Sequence, residues 1–205
     1  MNKVYVSAIA NKVSEEEIRS LIPPAKARRL GMLQKRALAT ALKALAVSGI
    51  EKPDMILNGT VMGCIETSLR ILDGMASDGE KVAMPTAFMQ STHNTVASLI
   101  AIHTGNHGYN ATYSHGAVSF ECALQDAFLS IRSGQASSAL VCRNDEITPL
   151  MRQNPKFFGN VQFSDVSEAW VLTANRDDGA LFEIEDIVIT HRNGTDSAEI
   201  VKSEL

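Results

Sequence analysis

The sequence predicts an α/β fold in which a mixed, mostly five-stranded sheet is flanked by helices. Three observations carry that prediction. Strand-like and helix-like segments alternate along most of the chain, glycines punctuate their junctions, and the apolar spacing changes period as the segments change. Val4 to Ile9 reads as the first strand. After Pro23-Pro24, the stretch Leu30 to Val47 carries Leu30, Leu33, Ala37, Leu38, Ala41, Leu42 and Leu45 on one broad stripe and stops at Gly49, as a helix should. Met55-Ile56-Leu57 is a short apolar strand before Gly59, and Ile65, Leu69, Leu72 and Met75 then recur at helical spacing. The next helix is expected to open at Ser91 or Thr92, with Val96, Leu99, Ile100 and His103 on one face and Gly105 and Gly108 closing it. Tyr109 to Tyr113 is strand-like. From Gly116, the residues Phe120, Leu124, Ala127, Phe128 and Ile131 mark a helix that ends at Gly134, and Ser138 to Cys142 follows as a buried strand. Ala169 to Thr173 and Leu181 to Ile189 supply two last strands. The polar tail from His191 to Leu205 is expected to fray, which divides the chain into residues 1–190 and a tail of 191–205.

Composition narrows the function classes. A formal charge of -4 and a pI near 5.7 argue against nucleic acid or an anionic membrane as partner, since both reward clustered Lys and Arg. The basic residues that do cluster, Lys26, Arg28, Arg29, Lys35 and Arg36, surround one helix start and read as a solvated face. The N-terminus turns polar by Asn11 and carries no apolar run of secretory or membrane-spanning length, so a cytoplasmic location is expected. Cys64, Cys122 and Cys142 have no metal-ligand spacing and cannot all pair, so reduced and mostly buried thiols are expected. No metal site and no cofactor is expected.

A function enters with the stretch that begins at Asn94. Asn94-Thr95-Val96-Ala97, Gly105, Gly108-Tyr109-Asn110, Ala123-Leu124 and Ile131-Arg132-Ser133-Gly134-Gln135-Ala136 together resemble the pattern around the nucleophile of β-ketoacyl synthases. Earlier, Pro23-Pro24-Ala25-Lys26-Ala27-Arg28-Arg29-Leu30 resembles the family's Arg-Arg helix start, and Asn58-Gly59-Thr60-Val61-Met62-Gly63 its Thr-Gly-x-Gly turn. Later, Phe163-Ser164 and Glu168-Ala169-Trp170-Val171-Leu172 resemble the segment that closes the first lobe. The resemblance covers nearly the whole chain. It implies a thiolase-like fold, in the form of a single lobe without the second lobe that supplies the family's decarboxylating residues.

In that family a strand delivers a cysteine to the N-terminus of a buried helix, where partial positive charge and free N–H groups favour the thiolate. Carried onto this sequence, the nucleophile position falls on Ala117, whether counted forward from Asn94 or back from Ala123-Leu124. Alanine has no atom that attacks a thioester. Ser114, Ser119 and Cys122 are the rescue candidates. A serine needs a base and an orienting group, and Cys122 lies about one and a half turns further along the helix. His93, His103, His107 and His115 fall near the degenerate position, where a lone histidine is more often structural.

Within the family, a partner lacking the cysteine is a chain-length factor, which pairs with an active ketosynthase and shapes the acyl tunnel. The wording from Pro85 to Asn94 is also similar to short ketosynthase-like proteins of aryl polyene and flexirubin-type pathways. The resemblance therefore implies a non-catalytic subunit for fatty acid or polyketide synthesis, partnered by an active ketosynthase and, through it, an acyl carrier protein. A homodimer is the other pairing. Phe88, Met89 and Phe120 are the candidate tunnel residues. Two other classes compete: an acyl- or carrier-protein-binding scaffold, and an acyltransferase or hydrolase using Ser114, Ser119 or Cys122.

Overall fold

The computed structural model describes residues 1–78, 85–158 and 164–205. Phe163, which contributes to the resemblance, lies outside them. Among the described residues, seven strands form one mixed sheet in the order β3-β2-β4-β5-β1-β6-β7. They are β1 (Val4–Asn11), β2 (Met55–Gly59), β3 (Tyr109–Tyr113), β4 (Ser138–Asp145), β5 (Val166–Thr173), β6 (Phe182–Arg192) and β7 (Thr195–Ser203). β2 runs parallel to both β3 and β4, and the remaining pairs are antiparallel.

The helices are α1 (Glu15–Leu21), α2 (Pro24–Ala27), α3 (Met32–Ser48), α4 (Ile65–Asp78), α5 (Pro85–Gln90), α6 (Thr95–Thr104), α7 (Ser119–Ser133) and α8 (Pro149–Gln153). Alternation along the central strands sends successive side chains to opposite faces and builds two cores. Ala8, Ala10, Ile56, Leu140, Cys142, Ala169 and Val171 meet α3 and α6 on one face. Val4, Val6, Met55, Leu57, Ala139, Val141 and Leu172 meet α7 on the other. Each large aliphatic residue buried there stabilises by about 1.5–3 kcal/mol before the entropy of ordering is subtracted.

Four sequence expectations need correction. Among the described residues the sheet has seven strands, not five. The tail expected to fray pairs over most of its length with β6, from Arg192↔Thr195 to Glu183↔Ser203. Its cause is local: Asn193 (φ 52°) and Gly194 (φ 75°) both take the left-handed conformation that a tight two-residue hairpin requires, and an Asn-Gly pair supplies it at little cost. The helix expected at Ser91 or Thr92 begins instead at Thr95, because Asn94 occupies the flanking position and its carbonyl accepts from Ser98 N at 3.0 Å. Among the basic residues, Arg36 departs from the solvated face. It donates to the Asp145 carbonyl at 3.3 Å and lies 3.5 Å from Asp165.

Candidate functional site

The carboxyl ends of the parallel strands β2, β3 and β4 converge, and the loops that follow them meet. Such ends are where open α/β sheets place their sites. Gly59 sets the spacing, since a Cβ there would lie 2.5 Å from the Phe120 Cα and N. Only glycine lets the first turn of α7 press against the end of β2. Thr60 N then bonds the Tyr113 carbonyl at 3.0 Å, and the Ser114 hydroxyl donates to the Val61 carbonyl at 3.2 Å, tying the two loops together.

β3 runs into a 3₁₀ turn, Gly116–Val118, that feeds α7 directly. Gly116 takes φ 54°, which an L side chain would resist, so the unusual backbone of this turn lies one residue before Ala117. Ala117 is exposed at the head of α7, a helix whose buried face carries Phe120, Ala123, Leu124, Ala127, Phe128 and Ile131. The strand, tight turn and helix N-terminus are all present, with the Ala117 methyl group at the head of the helix.

The three rescue candidates sit in different settings. The Ser119 hydroxyl donates to the Gly116 carbonyl and accepts from His115 N, both at 2.8 Å, so it fastens the turn. Ser114 is exposed, and its hydroxyl bonds a backbone carbonyl instead of a base. Cys122 is half-buried, and burial together with the nearby Glu121 and Asp196 carboxylates raises its pKa, which disfavours the thiolate. Cys64 and Cys142 are buried, and desolvation pushes both up to about 12. Among the described residues no group of three or more His, Cys, Asp or Glu side chains is arranged to hold a metal ion.

The candidate tunnel residues separate. Phe120 is a core residue, 5% exposed, with its ring edge-on to Trp170 at 5.4 Å between centroids. Phe88 and Met89 stand out from α5, 67% and 76% exposed. His93 packs beside Gly63, and His103 and His107 lie away from the turn, on α6 and in the loop after it.

The site also holds a buried acidic pair at the end of β4 that the sequence reading did not single out. One Asp145 carboxylate oxygen accepts from Thr60 Oγ1 and Val61 N at 2.8 Å and from Met62 N at 3.3 Å. Thr60 Oγ1 in turn accepts from Gly63 N at 2.9 Å. Glu146 accepts from Glu66 N in the first turn of α4 at 3.0 Å. Burial raises the pKa of both, and the loop N–H groups only partly offset it. The available signal was Asp145-Glu146 at the end of an apolar strand, where a carboxylate has to find partners.

With this geometry in hand, the family model for the N-terminal domain of β-ketoacyl synthases matches residues 6–199. The chain belongs to that family. Its fold is the thiolase-like ketosynthase fold. Among solved structures, a ketosynthase in complex with its chain length factor from Xenorhabdus doucetiae superposes with a TM-score of 0.69 at 17% identity, over 93% of this chain and 84% of that one. The ishigamide ketosynthase/chain length factor gives 0.73 at 14% identity, over 92% and 67%. A type II polyketide synthase acyl-carrier protein in complex with its ketosynthase gives 0.73 at 14%, over 92% and 69%. At these identities the likeness is one of fold. No curated protein matches the chain by sequence. Among the described residues no helix is long and apolar enough to cross a membrane.

Proposed function

We propose that this chain is a non-catalytic, chain-length-factor-like subunit that pairs with an active β-ketoacyl-ACP synthase and shapes the space for the growing acyl chain. The observation that carries the reading is Ala117 at the head of α7, the position to which the family resemblance assigns the nucleophile. The hydrogen bonds that occupy Ser114 and Ser119, and the raised pKa of Cys122, support it from the same site.

Two surface features favour pairing. Among the described residues β3 lies at the sheet edge with one side unpaired, and an open strand is a ready template for a partner. Leu72, Met75, Phe88 and Met89 expose apolar area on α4 and α5 that an obligate interface of about 2,000 Å² or more would cover. Phe88 and Met89 then become tunnel wall only in the complex. The product class we favour is aryl polyene, with acyl carrier protein delivered through the ketosynthase and the pair working in the cytoplasm.

A second reading, a carrier-protein-binding scaffold, is favoured by one observation. Arg28, Arg29 and Arg70 line a cleft of about 700 Å³ together with Glu66 and Asp73, and the three arginines make no ion pair among the described residues, so the lining keeps a positive excess that suits an acidic partner. Coexpression with a cysteine-bearing ketosynthase separates the readings. The chain-length reading expects a stable complex whose product length changes when Phe88 or Met89 is enlarged. Carrier-protein binding with no effect on product length supports the scaffold instead.

A further inference from the structure

A second cleft, of about 420 Å³, opens at the corner where α1, α2 and the start of α3 meet. The corner is stiff. Ile22 ends α1 in extended backbone, Pro23 follows, and Pro24 opens α2. Ala27 N then donates to the Pro23 carbonyl at 3.0 Å and Arg28 N to the Pro24 carbonyl at 3.1 Å, which closes the turn. Glu17 on α1 meets Lys43 on α3 at 2.6 Å and ties the two helices together. The cleft is therefore formed before any ligand arrives, as small-molecule sites usually are.

Its lining is of two kinds. Ile18 and Ile22 are its most buried wall, 8% and 1% exposed, and Pro24, Ala27 and Met32 complete the apolar part. The charged part is Glu15, Arg19, Arg28 and Lys35. Glu15 and Arg19 satisfy each other at 2.9 Å. Arg28 and Lys35 make no ion pair among the described residues. A single long cation beside apolar surface often just lays its stem there and keeps its head in water. Here two such cations line one apolar cleft and neither has an anion, so the complementary occupant carries a negative head and an apolar tail.

We propose that this cleft binds a single-chain acyl carboxylate, a fatty acid, with its head on Arg28 and Lys35 and its tail along Ile18, Ile22 and Met32. Size favours that occupant over a peptide helix or a two-chain lipid, because 420 Å³ is near the low end of the range of about 300–1,000 Å³ for small-molecule sites. A guanidinium matches both carboxylate oxygens at once, and the ammonium adds a point charge. The tail displaces water from the isoleucine wall, which supplies the remaining affinity.

The site is separate from Ala117, since α1 and α3 cover one face of the sheet and α7 covers the other. It adjoins the larger basic cleft and shares Arg28 and Met32 with it, but of the two clefts Lys35 lines only the smaller. Lys35→Gln therefore weakens the acid while sparing the lining of the larger cleft, and its outcome bears neither on ketosynthase pairing nor on carrier-protein binding.

The test is isothermal titration of the purified chain with decanoate below its micelle concentration, at about pH 8 where the acid is ionised. Decyltrimethylammonium, with the same chain and the opposite head, is the comparison. Decanoate should bind saturably at one site, and the cationic amphiphile at least about tenfold more weakly. Replacing Arg28 and Lys35 together by Gln should weaken decanoate about tenfold, and Lys35→Gln alone about threefold. Unfolding midpoints should not change, since neither side chain makes a hydrogen bond or ion pair to lose among the described residues. Amide NMR shifts on titration should cluster within residues 15–35. No binding, equal binding of the two amphiphiles, unaltered affinity in the double variant, or shifts centred elsewhere would overturn the proposal. Binding to anionic lipid vesicles without binding of monomeric decanoate would also overturn it and make the patch a membrane-facing surface.

Discussion

Replacing Gly59 with alanine tests how the site is assembled. The new Cβ would sit 2.5 Å from both N and Cα of Phe120 and 2.6 Å from the Ser119 carbonyl carbon, all backbone atoms of α7. Ordinary carbon contacts begin near 3.5 Å, so α7 has to retreat from β2 by about 1 Å. No side chain is free to swing away and absorb the clash. Retreat loosens the core formed by Leu57, Phe120, Ala123 and Leu124, so the cost should fall at or above the upper end of the usual overpacking range, about 3 kcal/mol. The control is Gly116→Ala, where a Cβ meets nothing within 4 Å but φ is 54°, and strain alone costs about 1–2 kcal/mol. Urea unfolding followed by circular dichroism measures both. A Gly59→Ala loss below about 1 kcal/mol, or one no larger than that of Gly116→Ala, would refute the claim that close approach of α7 to β2 builds the turn.

Three further outcomes are expected. Leu124→Ala removes a fully buried side chain from α7 and should cost about 2–5 kcal/mol in the same unfolding assay; less than about 1 kcal/mol would mean the stripe is not core. Asp145 has a folded pKa raised mainly by burial, so its native state holds the proton longer than the unfolded chain does. Its contribution to stability should therefore fall as pH rises from about 3.8 through its folded pKa, and the stability difference between wild type and Asp145→Asn should shrink over that window; a difference that grows would reverse the sign. In the complex with a ketosynthase, Ser114→Ala, Ser119→Ala and Cys122→Ala should each leave turnover within a few-fold of wild type. A hundredfold loss at unchanged complex stability equals about 2.7 kcal/mol of transition-state stabilisation and would assign chemistry to the residue.

The central architecture was legible because its signals are strong and local. The stripe on Met32–Ser48, the run at Met55–Gly59 and the periodicity of α7 each point to one element, and Gly49 and Gly134 end their helices where the sequence places them. Two local signals were passed over. Ser14-Glu15-Glu16-Glu17 is a capping box, with Glu17 N bonded to Ser14 Oγ at 3.1 Å and Ser14 N to Glu17 Oε2 at 2.7 Å, and it starts α1. Asn193-Gly194 makes the last hairpin, but the polarity of the flanking residues hid two strands that are half solvent-facing and lack a clean apolar alternation.

The sequence pointed to the candidate site only through the resemblance that assigns the nucleophile position to Ala117. Which groups surround it depended on tertiary packing: Asp145 meets the β2–α4 loop across 84 residues, and Asp196 meets His115 across 81. Phe120 shows the limit of a stripe read alone, since periodicity marks the side that is buried without saying whether core or tunnel lies beneath it.

The most direct test of a non-catalytic subunit is to load the purified complex with isotopically labelled acyl–carrier protein and measure the intact mass of each subunit. The account predicts one acyl group on the cysteine of the ketosynthase and an unmodified mass for this chain throughout turnover. An acyl adduct on this chain that maps to Ser114, Ser119 or Cys122 and is discharged at the rate of product formation would contradict it.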